Sequence, residues 1–245
     1  MYFNTTGADN TALGYNALQN TTGTQNIGLG SGAGSGNTSG TGNVVIGYNA
    51  SIGTTTGSGN IFIGQYAGYG NTGTNNTVNG VRALFQTQAA NNNCAYGVYS
   101  LNNASSSNNV SVGYYAGAGI TTGGNNTLLG YNAGFSGTNN IATGANNIII
   151  GYSSESSSTS VSNEITLGNS SITSFRIPAL TITAGVKWFN NGSSTVALLP
   201  SAATAGIGAR AFVTDALAPS FGVTVAGSGA VATPVYSDGT NWKVG

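Results

Sequence analysis

The sequence predicts an all-β chain: a parallel β-solenoid (β-roll) of about ten coils of 16–17 residues, followed by a small C-terminal β domain. Three observations carry this expectation. First, a glycine recurs at Gly14, Gly30, Gly47, Gly64, Gly80, Gly97, Gly113, Gly130, Gly151 and Gly168, in steps of 16, 17, 17, 16, 17, 16, 17, 21 and 17 residues. A fixed period of this kind marks stacked repeats, each too small to bury a core alone. Second, aliphatic residues recur one and three positions before the glycine. Third, only Ala or Ser stands three positions after it, from Ala17 and Ala33 to Ser154 and Ser171.

Each position of the coil has a physical reading. Leu13, Leu29, Ile46, Ile63, Val112, Leu129, Ile150 and Leu167 precede their glycines directly. Two residues earlier stand Thr11, Ile27, Val44, Ile61, Thr77, Cys94, Val110, Thr127, Ile148 and Ile165. Residues two apart in a strand share a face, and β-branched side chains suit a pleated surface. Both columns are therefore expected to point inward. The glycine suits a positive φ or a close backbone approach. The Ala/Ser column implies room for one small side chain on a second short strand. Four before the glycine stands Asn in nine coils, and Glu164 in the tenth. Asn tolerates the left-handed region, and stacked amides can bond from coil to coil.

Composition narrows the function classes. Charged residues make up 4 % of the 245-residue chain and cancel to zero net charge, so nothing attracts nucleic acid or an anionic membrane. Between Asn10 and Ser154 the only charge is Arg82. The aliphatic columns are too regular for a disordered linker of similar composition. There is no histidine, and the few carboxylates are scattered, so no acid–base couple, metal cluster or cofactor site is expected and the chain does not read as an enzyme. Cys94 reads as a small buried hydrophobe in the inward column. Neither a signal peptide nor a membrane-spanning run is legible. The glycine-rich span Gly28 to Gly42 lacks the Lys-Ser/Thr ending of a phosphate loop and follows the coil period. Threonine pairs such as Thr21-Thr22 fall in turns, which argues against an ice-binding face.

Two or three apolar residues per coil make a thin core for a lone rod. The tyrosines after the glycine (Tyr15, Tyr48, Tyr114, Tyr131, Tyr152) are expected to bury further surface against neighbouring chains. Chains running alike close with cyclic symmetry, so a parallel homotrimer is expected. The residues Asn126, Leu129, Gly130, Tyr131 and Ala133 typify the structural unit. Coils five and six depart from it: Asn79 and Tyr96 replace the aliphatic, Val81 and Val98 replace Tyr, and Arg82 lies here too. A local change of packing between chains is the preferred reading, over a lateral binding patch. Four extra residues near Thr138 to Ala145 read as a surface loop.

The unit Asn125-Asn126-Thr127-Leu128-Leu129-Gly130-Tyr131-Asn132-Ala133-Gly134 resembles the Asn-Ser-Val-Ala-Ile-Gly-x-x-Ser motif of trimeric autotransporter adhesin heads. Those heads are trimers of left-handed parallel β-rolls. Endings of the Gly-Tyr-Asn-Ala-Gly kind also resemble bacteriophage tail fibres. The resemblance covers about residues 9–172, with longer steps than the adhesin heads have. It implies a trimeric tail fibre of a virion, assembled in a host cytoplasm and joined at its N-terminal end to another tail or baseplate protein. An extracellular or cell-surface protein is the alternative location.

All four prolines and both tryptophans lie beyond residue 177, so a domain boundary is expected between the array (1–172) and a tip domain (173–245). The tip reads as short strands over 181–189, 195–199, 209–214, 222–225, 234–237 and 240–244. Asp238-Gly239 signals a two-residue hairpin turn. The ending resembles a C-terminal module of phage tail proteins. Tyr236, Asp238, Asn241, Trp242 and Lys243 are the candidate receptor-binding residues, for a bacterial surface glycan or protein, by stacking and hydrogen bonding. Trp188 and Trp242 also read as core. The expected function is adhesion by a trimeric fibre, with a purely structural virion fibre or connector as the alternative.

Overall fold

A computed structural model describes residues 6–53, 56–85, 89–174, 193–194, 210–216, 224, 231–238 and 240–244. The chain divides into two units, Met1–Phe175 and Arg176–Gly245.

The first unit is a parallel β-solenoid of about nine turns. Ten three-residue strands stack in sequence order: β1 (Thr11–Leu13), β2 (Ile27–Leu29), β3 (Val44–Ile46), β4 (Ile61–Ile63), β5 (Thr77–Asn79), β6 (Cys94–Tyr96), β7 (Val110–Val112), β8 (Thr127–Leu129), β9 (Ile148–Ile150) and β10 (Ile165–Leu167). Equivalent residues pair without a slip, as in Thr127↔Ile148 and Leu129↔Ile150. At β-sheet spacing the stack is on the order of 45 Å long.

The direction of the side chains corrects the sequence reading. The middle residue of each strand faces the core: Val45, Phe62, Val78, Ala95, Ser111, Leu128 and Ile149 are buried. The two flanking aliphatic columns therefore point outward. Cys94 goes with them and is half-buried rather than internal. Alternation across a strand fixes this once Asn26, Asn43, Asn60 and their equivalents are buried, because they lie two residues before the middle position.

The second side of the coil is not a strand. From Tyr15 to Asn20, and at the equivalent positions of later coils, the backbone is a run of turns. The residues two and four after the glycine take positive φ, as at Asn16 (56°), Leu18 (48°), Tyr66 (57°) and Gly68 (63°). Such angles do not build a pleated strand. The turns still bond from coil to coil: the Leu18 N–H donates to Ala33 O at 3.0 Å, and Ser51 N–H to Ala67 O at 2.8 Å. The Ala/Ser column is fully enclosed here, from Ala17 to Ser154.

Core volume is shared between two positions of each coil. In two coils a large strand centre is followed six residues later by glycine: Phe62 with Gly68 and Leu128 with Gly134. A Cβ on Gly134 would meet Leu128 Cδ2 at 2.5 Å. In two others a small centre is matched by leucine, Ala12 with Leu18 and Ala95 with Leu101. Gly28 with Gly34 and Ser111 with Gly117 are small at both places, and there Leu18 and Leu101 of the preceding coil take up the space. Leu18, Leu84 and Leu101 are wholly buried. Close packing favours such sharing of volume within and between coils, since either an empty or an overfilled layer costs stability.

A buried amide ladder runs beside this core. Each Asn Oδ1 accepts the backbone N–H of the next coil's Asn, as from Asn43 to Asn26 at 3.0 Å and from Asn60 to Asn43 at 2.9 Å. Each Nδ2 also donates to a carbonyl later in its own turn, as Asn60 does to Gly73 O at 2.9 Å. At the last rung, the Glu164 N–H donates to Asn147 Oδ1 at 2.9 Å. The Glu164 carboxylate accepts from Ser157 N–H and Thr166 Oγ1, both at 2.9 Å. Burial works to raise its pKa, but these hydrogen bonds from Ser157 and Thr166 together leave the carboxyl below its ordinary value.

The extra residues of coil eight form a short excursion. Gly137 and Thr138 are exposed, and the Gly137 N–H donates to Asn140 Oδ1 at 3.1 Å. Ile141 returns to full burial, so the loop is shorter than the expected span to Ala145.

In the second unit, β11 (Ser193–Ser194) pairs parallel with β12 (Arg210–Ala216). β12 pairs antiparallel with β13 (Val231–Ser237), which pairs antiparallel with β14 (Trp242–Val244). Thr224 makes an isolated bridge to Lys243. The strands expected over 181–189 and 195–199 lie outside the described residues.

Candidate interaction surface

The outward columns make a largely apolar face along the solenoid, interrupted by Ser31 and Gln65 and, in coil five, by Thr77 and Asn79. Three positions contribute: three before, one before and one after each glycine. Leu129 and Tyr131 are each 45 % exposed, and Ile148 is 39 % exposed. Ile27, Leu29, Ile61, Val110, Val112, Tyr114, Ile165 and Leu167 are exposed in the same columns. The tyrosines stack along it: Tyr114 on Tyr131 and Tyr131 on Tyr152, each with ring centroids 5.3 Å apart. Of the five residues that typify the repeat, Leu129 and Tyr131 lie on this face. Asn126 and Ala133 are buried, and Gly130 forms the corner at φ 134°. Contiguous apolar surface of this extent marks an interaction site.

The five candidate residues of the second unit do not share a face. Ser237 pairs with Trp242, and Val235 with Val244. Val235, Ser237 and Val244 are buried, so the half-buried Trp242 belongs to the covered side. Tyr236 pairs with Lys243 on the opposite side. Asp238 and Asn241 sit in the connection, which spans four residues rather than the expected two. Its geometry comes from Asp238 Oδ1, which accepts the N–H groups of Asn241 at 2.7 Å and Thr240 at 2.9 Å. This is the Asx turn that aspartate favours. Those backbone donors, with Lys243 nearby, hold the Asp238 carboxyl below its ordinary range. Lys243 Nζ donates to Thr224 Oγ1 at 2.9 Å and lies 3.9 Å from Asp238. Asp238 and Lys243 are thus engaged in holding the hairpin.

A polar cleft of about 630 Å³ opens at the end of the array, lined by residues including Asn139, Glu155, Ser156, Thr166 and Asn169. Glu155 is its one carboxylate. Among the described residues no cluster of three His, Cys, Asp or Glu side chains is placed to hold a metal. No helix among them is long and apolar enough to cross a membrane. Comparison with protein-family models, characterised proteins and solved structures returned no match.

The outward face was present in the sequence but was assigned to the interior. The strand centre shares its side of the strand with the Asn two residues earlier, and burial of that Asn column is what identifies the true core.

Proposed function

We propose that this protein is a fibre component whose copies associate side by side through the apolar face of the solenoid, as a parallel homotrimer. The single observation that carries the reading is the exposed Leu/Ile/Val/Tyr face that recurs along the solenoid, broken mainly at coil five. Left in water, such a surface is an aggregation liability; covered by its own copies, it is a source of rigidity. A seam between copies running alike closes on a rotation axis. The number three, the virion setting and adhesion to a bacterial surface follow the resemblance to adhesin heads and phage tail fibres.

The mass in solution tests this. The full chain is expected at three times its 24.2 kDa. Leu129→Asp with Ile148→Asp places charge on the outward columns and is expected to give monomers with an unchanged β spectrum. A wild-type monomer at micromolar concentration would refute the seam.

Cys94 reports on the same face. It lies in the outward column beside Thr77 and Val110 and is half-buried in a single chain. Burial also raises its thiol pKa. In the assembled protein it is expected to react with maleimide at least tenfold more slowly than in the Leu129→Asp/Ile148→Asp protein at the same pH. Equal rates would place Cys94 away from the seam.

A second reading, a purely structural fibre, draws support from the tip. Trp242 turns to the covered side, and Asp238 and Lys243 are spent on the hairpin. Binding of host cells by the full-length protein separates the two readings.

A further inference from the structure

The residue two after each repeat glycine sits in the left-handed region, at φ between 48° and 72° from coil one to coil nine. Asn, Gly or Ser occupies it in coils one, two, three, eight and nine: Asn16, Gly32, Asn49, Asn132 and Ser153. These small residues suit it, and bulky ones are uncommon there. Coils four to seven nevertheless carry Tyr66, Arg82, Tyr99 and Tyr115, at φ 57°, 52°, 59° and 54°. Four consecutive unfavourable choices at one register position call for an explanation, and strained backbone concentrates at functional places.

These side chains form one group. The Arg82 guanidinium lies over Phe85 at 5.2 Å, Tyr66 at 5.8 Å and Tyr99 at 5.9 Å from the ring centroids. Tyr69 stacks on Phe85 at 4.9 Å, and Tyr99 on Tyr115 at 4.6 Å. Tyr69 and Arg82 are exposed and the other rings half-buried, so flat faces and edges reach solvent. Among the described residues Arg82 has no ion pair and its guanidinium donates no hydrogen bond.

We propose that Arg82 with Tyr66, Tyr69, Phe85, Tyr99 and Tyr115 is a lateral binding site for a carboxylate-bearing saccharide chain. Aromatic faces take the apolar faces of sugar rings, and phenolic hydroxyls meet sugar hydroxyls. The guanidinium fork matches a carboxylate in two parallel hydrogen bonds. Polyanionic nucleic acid is a poor fit, since its affinity comes from many cations and this surface has one. A second copy of the chain fits poorly as well. From Asn10 to Ser154 the coils contain no carboxylate, so a seam here would bury Arg82 without a counter-ion. Adhesion to a cell surface, as the source of the saccharide, rests on the function proposed above; the site itself does not.

The array supplies a safe variant. Arg82→Asn installs the residue that coils one, three and eight use at this position, so it is expected to fold with an unchanged or raised melting temperature. Oligogalacturonate is the probe and neutral maltohexaose the comparator, titrated calorimetrically into the full-length protein at low salt. Oligogalacturonate is expected to bind and maltohexaose to bind at least tenfold more weakly. Arg82→Asn is expected to weaken oligogalacturonate at least tenfold, and Tyr99→Asn likewise, with the solution mass of both variants unchanged. Failure of oligogalacturonate to bind, or equal affinity in Arg82→Asn, overturns the proposal. A fall in solution mass for Arg82→Asn also overturns it, by making the patch a seam between copies. The two readings fail separately: a wild-type monomer that binds the probe sinks the trimer alone, and a trimer that ignores it sinks the site alone.

Discussion

Gly130→Ala is expected to break the stack locally, at a cost of about 4 kcal/mol. Two effects add. The φ of 134° lies where an L side chain rarely goes, which costs about 1–3 kcal/mol. A Cβ there would also sit 2.5 Å from the Gly151 carbonyl oxygen and 2.8 Å from its carbon. That partner is backbone in the next coil and cannot rotate away, so overpacking adds about 1–3 kcal/mol. In a stacked array the damage falls on the interfaces between neighbouring coils, so the melting transition should broaden as well as move down. Gly42→Asn is the control. Gly42 has φ 66° with nothing within 4 Å of its would-be Cβ, and Asn holds the equivalent place in Asn75 and Asn125. Equal thermal melts for Gly130→Ala and Gly42→Asn would mean that close approach at the repeat glycine is not what the fold requires.

Asn60→Ala is the second large effect, again about 4 kcal/mol. The Asn60 amide is fully buried and engaged on every side. Its Oδ1 accepts the Asn76 N–H at 2.9 Å and the Asn76 Nδ2 at 3.0 Å. Its Nδ2 donates to Gly73 O at 2.9 Å and Asn43 Oδ1 at 3.2 Å. Truncation leaves a backbone donor and a backbone acceptor buried without these partners, at about 1–3 kcal/mol each. Thr22→Ala removes an exposed bond of 2.7 Å, from Thr22 Oγ1 to Thr38 O, and should change stability by only about 0.5 kcal/mol. Urea denaturation of the two variants side by side checks the contrast. Comparable midpoints would show that the ladder follows the fold rather than holding it.

These two positions were also the most legible in the sequence. The glycine had to mean positive φ or close approach, and Gly130 shows both. The Asn column suggested stacked amides, and Asn26 through Asn147 form them. What misled was hydrophobicity. Ile27, Leu29, Val110 and Leu129 look like core because β-branched and aliphatic columns usually are. The real core column runs through Gly28, Val45, Phe62, Ala95, Ser111 and Leu128, and its sizes vary too widely to look conserved along the repeat. Residues that fill the gaps, such as Leu18 and Leu101, lie on the turn side, beyond the reach of a strand-period argument. The turn side was misread for a related reason: Tyr66 and Leu84 do not announce left-handed backbone as Asn and Gly do. In the second unit, Asp-Gly suggested the tightest hairpin, whereas the Asp238 carboxylate organises a wider one by capturing the amides of Thr240 and Asn241. The grouping of Tyr66, Arg82 and Tyr99 was visible only as an irregularity, since their meeting depends on a register that the period gives but on a direction that it does not.

The closing rung has a consequence for growth. An asparagine passes the ladder on because its oxygen waits for the coil above. Glu164 instead turns one carboxylate oxygen, Oε1, to Ser157 and Thr166, and puts a longer, charged acceptor where the ladder elsewhere has an amide. New turns are therefore most readily duplicated into the middle of the rod, where every rung both receives and offers, whereas a turn added past Glu164 would meet a rung of different length and charge. Copying inside the rod keeps the amide ladder in register, and Glu164 travels with the last copy.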